Sequence, residues 1–166
     1  MAPIKTATHL HGMSDESWKR HANPWSVWTR FAAILAFELA VWSRQWLGWW
    51  CLAGVAAVVV WLWPNVRLFG PVGPTSWAAR GIYGEQFHVD GEVPAEHRTI
   101  LHWLIATGLL GFASIAWGLI ALAIWPLALG TALVVLAQLW RIDLYGLLYQ
   151  YLGDRTQDSR SPDTAA

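Results

Sequence analysis

ILHWLIATGLLGFASIAWGLIALAIWPLALGTALVVLAQLW, residues 100–140, is a run of 41 residues without one formally charged side chain. As a single helix it would extend about 62 Å, roughly twice the ~30 Å of hydrocarbon in a bilayer, so the run is expected to cross and return. The turn falls between Gly118 and Pro126, because proline is tolerated in the first turn of a helix, where its missing N–H costs nothing. Working back towards the amino end, two further apolar stretches, 25–46 and 48–63, turn at Arg44-Gln45-Trp46-Leu47-Gly48. The fold class is therefore all-α: four transmembrane helices, 25–46, 48–63, 100–122 and 126–140, paired as two antiparallel hairpins.

Charge orients the arrangement. Threading the four spans puts Lys5, Lys19, Arg20, Arg30, Arg67, Arg80, Arg98, Arg141, Arg155 and Arg160 on one side and leaves Arg44 alone on the other. By the positive-inside rule both termini and the long central loop are expected in the cytoplasm, and the location is the cell (inner) membrane. Formal net charge is zero, with 55% hydrophobic and 13% charged residues, about half the charged fraction of a soluble domain. The first 24 residues lack the continuous apolar core of a cleavable signal, so the first helix is expected to act as its own insertion signal. Cys51 is the single cysteine, which excludes an intrachain disulfide.

Tryptophan gives the same spans independently. Of 14 Trp, twelve lie towards the ends of the four stretches, where an amphipathic ring prefers the headgroup boundary; Trp18 and Trp77 are left over. Small residues recur at helical spacing, Ala32/Ala36/Ala40, Ala53/Ala57 and Thr107/Gly111/Ser114/Gly118, and such stripes let helix backbones approach closely in lipid.

These signals divide the chain into a cytoplasmic tail (1–24), a first hairpin (25–64), a cytoplasmic loop (65–93), a second hairpin with an interfacial helical extension (94–152) and a tail (153–166) expected to be disordered. In the extension, Leu144, Leu147, Leu148 and Tyr151 are expected to form the apolar face.

The most distinctive wording is His21-Ala22-Asn23-Pro24-Trp25-Ser26-Val27-Trp28-Thr29-Arg30. With Trp42-Ser43-Arg44, Pro64-Asn65-x-Arg67-x-Phe69, Trp77-x-x-Arg80, Gly84-Glu85 and Pro94-x-x-His97-Arg98, it resembles an uncharacterised family of short bacterial and archaeal integral membrane proteins. The resemblance covers about residues 20 to 145; it implies four spans and brings no assigned activity. Physics accounts for much of the box: Asn23 caps the helix, Pro24 takes its first position, Trp25 and Trp28 anchor, and Arg30 reaches lipid phosphates. In the functional alternative, His21, Asn23, Arg30, Arg80, Glu85, His97 and Arg98 converge as a polar surface on the cytoplasmic side.

Some 29 residues between the hairpins exceed what a connection needs. They contain Glu85-Gln86-Phe87-His88, the Glu-x-x-His spacing of carboxylate-bridged metal sites, followed by Glu92, Glu96, His97 and His102. Glu85, His88, His97 and His102 are weak metal candidates, since a di-iron bundle needs a second such motif and further carboxylates. Glu92 and Glu96 flank Pro94 at a helix start, where acids suit the helix dipole. A bis-histidine haem finds only His102 inside the bundle. No cofactor is expected.

Glu38 is the one acid inside a span. Charged and unpaired near the bilayer middle it would cost about 2.5 to 3.5 kcal/mol, so it is expected to be protonated, paired to a polar group such as Gln138 or Thr107, or lining water. No phosphate-binding glycine motif and no nucleophile triad is present, and basic residues interleaved with acids do not describe a nucleic-acid surface. The expected partners are the lipid bilayer and a membrane protein or second copy, with no nucleic acid. The function expected is that of an accessory or scaffold protein, against a metalloenzyme with a His/Glu site or an oligomeric transporter using Glu38.

Overall fold

The computed structural model of the protein describes residues 15–89 and 94–158, and the regular structure among them is helical throughout, with no strand. Eight α-helices follow in order: α1 (Asp15–His21), α2 (Pro24–Trp42), α3 (Arg44–Leu47), α4 (Cys51–Leu62), α5 (Asn65–Leu68), α6 (Trp77–Val89), α7 (Ala95–Ala121) and α8 (Ile124–Asp158), with a 3-10 turn at Gly48–Trp50. Among the described residues three segments are long and apolar enough to cross a membrane: Pro24–Leu62, His97–Ala121 and Ile124–Gly153.

Local chemistry sets the helix boundaries. The Asn23 side chain accepts from the Trp25 N–H at 3.0 Å and Pro24 occupies the first helical position of α2. Ser76 caps α6 by accepting from the Ala79 N–H at 3.1 Å. At the end of α7, Leu122 adopts a left-handed conformation (φ 52°, ψ 38°), and the Ala123 N–H closes back on the Gly118 carbonyl at 2.9 Å. That is the geometry glycine usually serves; here a leucine holds it.

α4 lies along α2. Ser26 Oγ donates to Asn65 Oδ1 and Asn65 Nδ2 donates to Thr29 Oγ1, both at 2.8 Å, which ties the start of α2 to the first residue of α5, just past the end of α4. At the other end, a Cβ built on Gly54 would stand 3.1 Å from that of Ala40. Ser26 and Asn65 are fully buried, so each polar atom needs the other. α7 and α8 pack through glycines: Gly111 and Gly130 face one another's backbone, and Gly118 faces Leu127. Ile115, Leu119 and Val134 form the small core between them, with Ile34 and Val41 of α2 against it.

The remaining core lies at the α6 end. Trp18, Ala22, Val27, Ala78, Ala79, Ile82 and Ile142 form one cluster, and Leu101, Leu104, Leu144, Tyr145 and Leu148 a second. α6 reaches α8 because Gly81 and Gly84 present no side chain where the backbones of Ile142 and Tyr145 pass.

Four expectations change. The 65–93 stretch is largely helical, α6 being packed into α8, because Gly81-x-x-Gly84 puts two glycines on one helix face. The 1–24 tail contains α1, whose Trp18 is only 6% exposed; with Trp77, which donates from Nε1 to Asp143 at 2.9 Å and stacks on Trp28, it supplies the packing that the boundary tryptophans do not. Eleven of those twelve are exposed and Trp42 is half-buried. The extension continues the last helix as expected, but the backbone stays helical to Asp158, past the expected tail boundary at 153. Its apolar face also differs: Leu144, Tyr145 and Leu148 are buried, while Leu147 and Tyr151 are exposed. Residues 1–14, 90–93 (Glu92 among them) and 159–166 lie outside the described residues.

Candidate functional site

Arg30 sits one turn and a half into α2 and turns inward. Its Nε donates to the Ser26 carbonyl at 2.9 Å, its Nη1 lies 3.1 Å from His21 Nε2, and its Nη2 donates to the His21 carbonyl at 3.2 Å. The expected reach to lipid phosphate is therefore not made; Arg30 instead ties the end of α1 to the start of α2. The same contact fixes the imidazole. Since a guanidinium only donates, Nε2 accepts and the proton sits on Nδ1. Burial first, and the Arg30 charge second, push His21 down to about 4, so the ring is neutral at pH 7.

Beside this pair is a cavity of about 170 Å³ between α2, α6 and α8. Its polar lining is His21, Arg30, Glu85, Gln138, Arg141 and Tyr145, and its apolar lining includes Val27, Phe31, Ile34, Ile82 and Ile142. Arg141 Nη2 stands 3.9 Å from Glu85 Oε1, an ion pair too long for a hydrogen bond. Two arginines against one carboxylate leave the cavity with one excess positive charge. Helix α8 contributes Gln138, Arg141, Ile142 and Tyr145, the i, i+3, i+4, i+7 spacing of one helical face.

The expected polar surface is partly assembled here. His21, Arg30 and Glu85 share the cavity; Asn23 is next door, donating from Nδ2 to the Gly70 carbonyl at 3.0 Å. Arg80 packs its stem near Gly146 on another face of α6, and Arg98 is exposed on α7; neither lines the cavity. His97, on α7, has a buried Nδ1 without a partner among the described residues. Arg141, Gln138 and Tyr145 are the functional candidates that sequence reasoning missed. In the sequence, topology alone accounts for Arg141, and the signal that singles it out is the polar side of α8 opposite its leucines.

The weak metal candidates do not converge. His88 packs against Tyr145 with the rings tilted and their centroids 5.6 Å apart, and burial lowers its pKa. His102 is exposed on α7, and among the described residues no three His, Cys, Asp or Glu side chains form a group able to hold a metal ion.

Glu38 is 6% exposed, and its partner is Thr131 of α8, rather than Gln138 or Thr107. Thr131 Oγ1 is 2.9 Å from both carboxyl oxygens and 2.8 Å from the Leu127 carbonyl. A hydroxyl has one proton, and the set is complete when Thr131 donates to Leu127 and a protonated Glu38 donates to Thr131. An open apolar groove of about 440 Å³, lined by Leu35, Leu127 and Val135, runs beside the pair.

No curated protein and no solved structure matches the chain. A family model does, over residues 5–166, and the chain accordingly belongs to DUF6653, described as a family of unknown function.

Proposed function

We propose that the protein is a four-span inner-membrane protein, both termini cytoplasmic, that works as an accessory or scaffold protein through a rigid polar platform on its cytoplasmic face. The observation that carries this reading is the seating of α6 on α8 through Gly81 and Gly84: the segment between the hairpins is built into the bundle as a fixed surface. Two of its polar groups help hold that surface, His21 neutral against Arg30 and Arg30 against the Ser26 carbonyl.

Four crossings are supported by the length of Pro24–Leu62, whose 39 residues would extend about 58 Å as one helix, and by the contacts that return α4 to α2. Eleven exposed boundary tryptophans and the ten-to-one division of Lys and Arg support the orientation. In this arrangement α1, α5 and α6 cap the cytoplasmic ends of two antiparallel hairpins, the box at 21–30 opens the first, and the platform meets a membrane protein or a second copy.

Single cysteines placed at Thr75 and Gln45 test the topology: the first is expected to react only from the cytoplasmic side and the second from outside, and labelling of Thr75 from outside in intact cells overturns it. Elemental analysis of purified wild type and His97→Ala tests the accessory reading against the metalloenzyme. About one transition metal per chain in the wild type, lost in the variant, would sink it. Photocrosslinkers at exposed Leu68 are expected to give one discrete adduct in membranes, and a smear or none counts against a platform.

A further inference from the structure

The two arginines of the cavity differ in how far their donors are used. Arg30 is engaged through Nε, Nη1 and Nη2. Arg141 has only the loose Glu85 pair at 3.9 Å, and among the described residues neither the Gln138 amide nor the Tyr145 hydroxyl makes a hydrogen bond. Tyr145 is 3% exposed and lines the same cavity as Glu85 and Arg141. Three donors therefore converge unspent on a space that at liquid density would hold about six waters. Polar groups held half-dry in this way are costly unless something fills their hydrogen bonds.

The lining also has two characters. Arg141, Gln138 and Tyr145 gather on α8, whereas Val27, Phe31 and Ile34 give α2 an apolar wall. The cavity stands level with Trp25 and Trp28 at the start of α2 and with Trp140 beside Arg141, all exposed. In the four-span reading these rings mark the cytoplasmic headgroup layer. A basic pocket between helices at that depth matches a charged head followed by carbon.

We propose that this cavity binds the phosphate of an anionic lipid headgroup, with Arg141 as its charge partner, Gln138 and Tyr145 as neutral donors, and the α2 wall receiving the first carbons beyond the phosphate. Glu85 competes with the anion for Arg141. Binding draws Arg141 off Glu85 and joins α2, α6 and α8 through one ligand. The site rests on the membrane placement proposed above, but its test is made in micelles, where an error in topology does not affect it.

The experiment uses the full chain, delipidated in a neutral detergent, with binding read by native mass spectrometry and by the thermal midpoint. The probes are phosphatidic acid, phosphatidylcholine and inorganic phosphate. Wild type is expected to bind phosphatidic acid over phosphatidylcholine, Arg141→Gln to bind it roughly tenfold or more weakly, and Glu85→Gln to bind it more tightly. Arg98→Gln, which removes an exposed cation outside the cavity, is expected to bind as wild type does. Should Arg141→Gln fail to fold, Glu85→Gln decides alone, because a merely structural ion pair predicts weaker or unchanged binding there. Inorganic phosphate binding with the same variant pattern supports the anion site and assigns it to a soluble phosphate. Equal affinity of wild type and Arg141→Gln, or of the two lipids, overturns the proposal.

Discussion

The guanidinium of Arg44 donates to the carbonyl of Leu119 at 2.5 Å and, from the same nitrogen, to that of Ile120 at 2.9 Å. One cation at the start of α3 thus closes the last carbonyls of α7, which no helical N–H can reach, and meets the negative end of its dipole. The lone basic residue on its side of the charge division is thereby accounted for by a contact, and that contact joins the α2–α4 pair to the α7–α8 pair. Arg44→Gln is expected to lower stability by about 1 to 2 kcal/mol, and Arg44→Lys to keep part of it. Unfolding in detergent, followed by tryptophan fluorescence, measures this; an unchanged midpoint in Arg44→Gln rules out the cap.

The α7–α8 turn allows a change in the opposite direction. Leu122 pays for a left-handed backbone that glycine adopts freely. Leu122→Gly is expected to raise stability by about 0.5 to 1 kcal/mol, the relief of strain exceeding the added freedom of the unfolded chain. A lower midpoint in the same assay counts against this account of the turn.

Glycines at two positions separate close packing from spacing alone. At Gly84 an added Cβ would enter the carbonyl of Tyr145, whereas nothing lies within 4 Å of one at Gly108. Gly84→Ala is expected to cost about 3 kcal/mol and to loosen α6, while Gly108→Ala is neutral or gains up to about 1 kcal/mol from helix propensity. Limited proteolysis between α6 and α7 reads the first directly: wild-type resistance in Gly84→Ala would falsify the role given to this contact.

Much of this was legible from residues. The uncharged run 100–140 gave its helices and its turn, because an apolar period and a proline are local signals. Asn23-Pro24 gave the start of α2 for the same reason. The seating of α6 was not legible: Gly81 and Gly84 acquire meaning only once Ile142 and Tyr145, some sixty residues on, are known to pass them. Trp18 and Trp77 were visible as the two that fit no span end, yet the face of Ala78, Ala79 and Ile82 that buries Trp18 and the Trp28 and Asp143 partners of Trp77 are tertiary. The cavity divides likewise: His21, Arg30 and Glu85 stood out by position, while Arg141 was hidden because a basic residue at a span end already had a sufficient explanation.

His21 makes the fold sensitive to pH with a defined sign. Its ordinary value of 6.5 is depressed to about 4, so between those values the unfolded chain binds the proton that the folded chain refuses. The contribution is complete above pH 6.5, declines as pH falls, and is lost below about 4; the shift corresponds to about 3 kcal/mol at most. His21→Gln, whose amide oxygen can still accept from Arg30, is expected to flatten that part of the profile. Identical slopes for wild type and variant between pH 6.5 and 4 would mean that His21 does not control it.

Glu38 and Thr131 provide the last test. If the carboxyl donates to Thr131 while Thr131 donates to Leu127, the pair joins α2 to α8, two helices with few other contacts. Glu38→Gln keeps a donor and is expected to leave stability and abundance near wild type. Glu38→Leu and Thr131→Val each break the join, and their effects should not add. The coupling expected for one hydrogen bond between membrane helices is about 0.6 to 1.7 kcal/mol. Were Glu38→Leu instead neutral or stabilising, with no coupling to Thr131→Val, the carboxyl would be a tolerated group and the hold between α2 and α8 would have to come from Ile34 and Val41 against the Ile115–Val134 core.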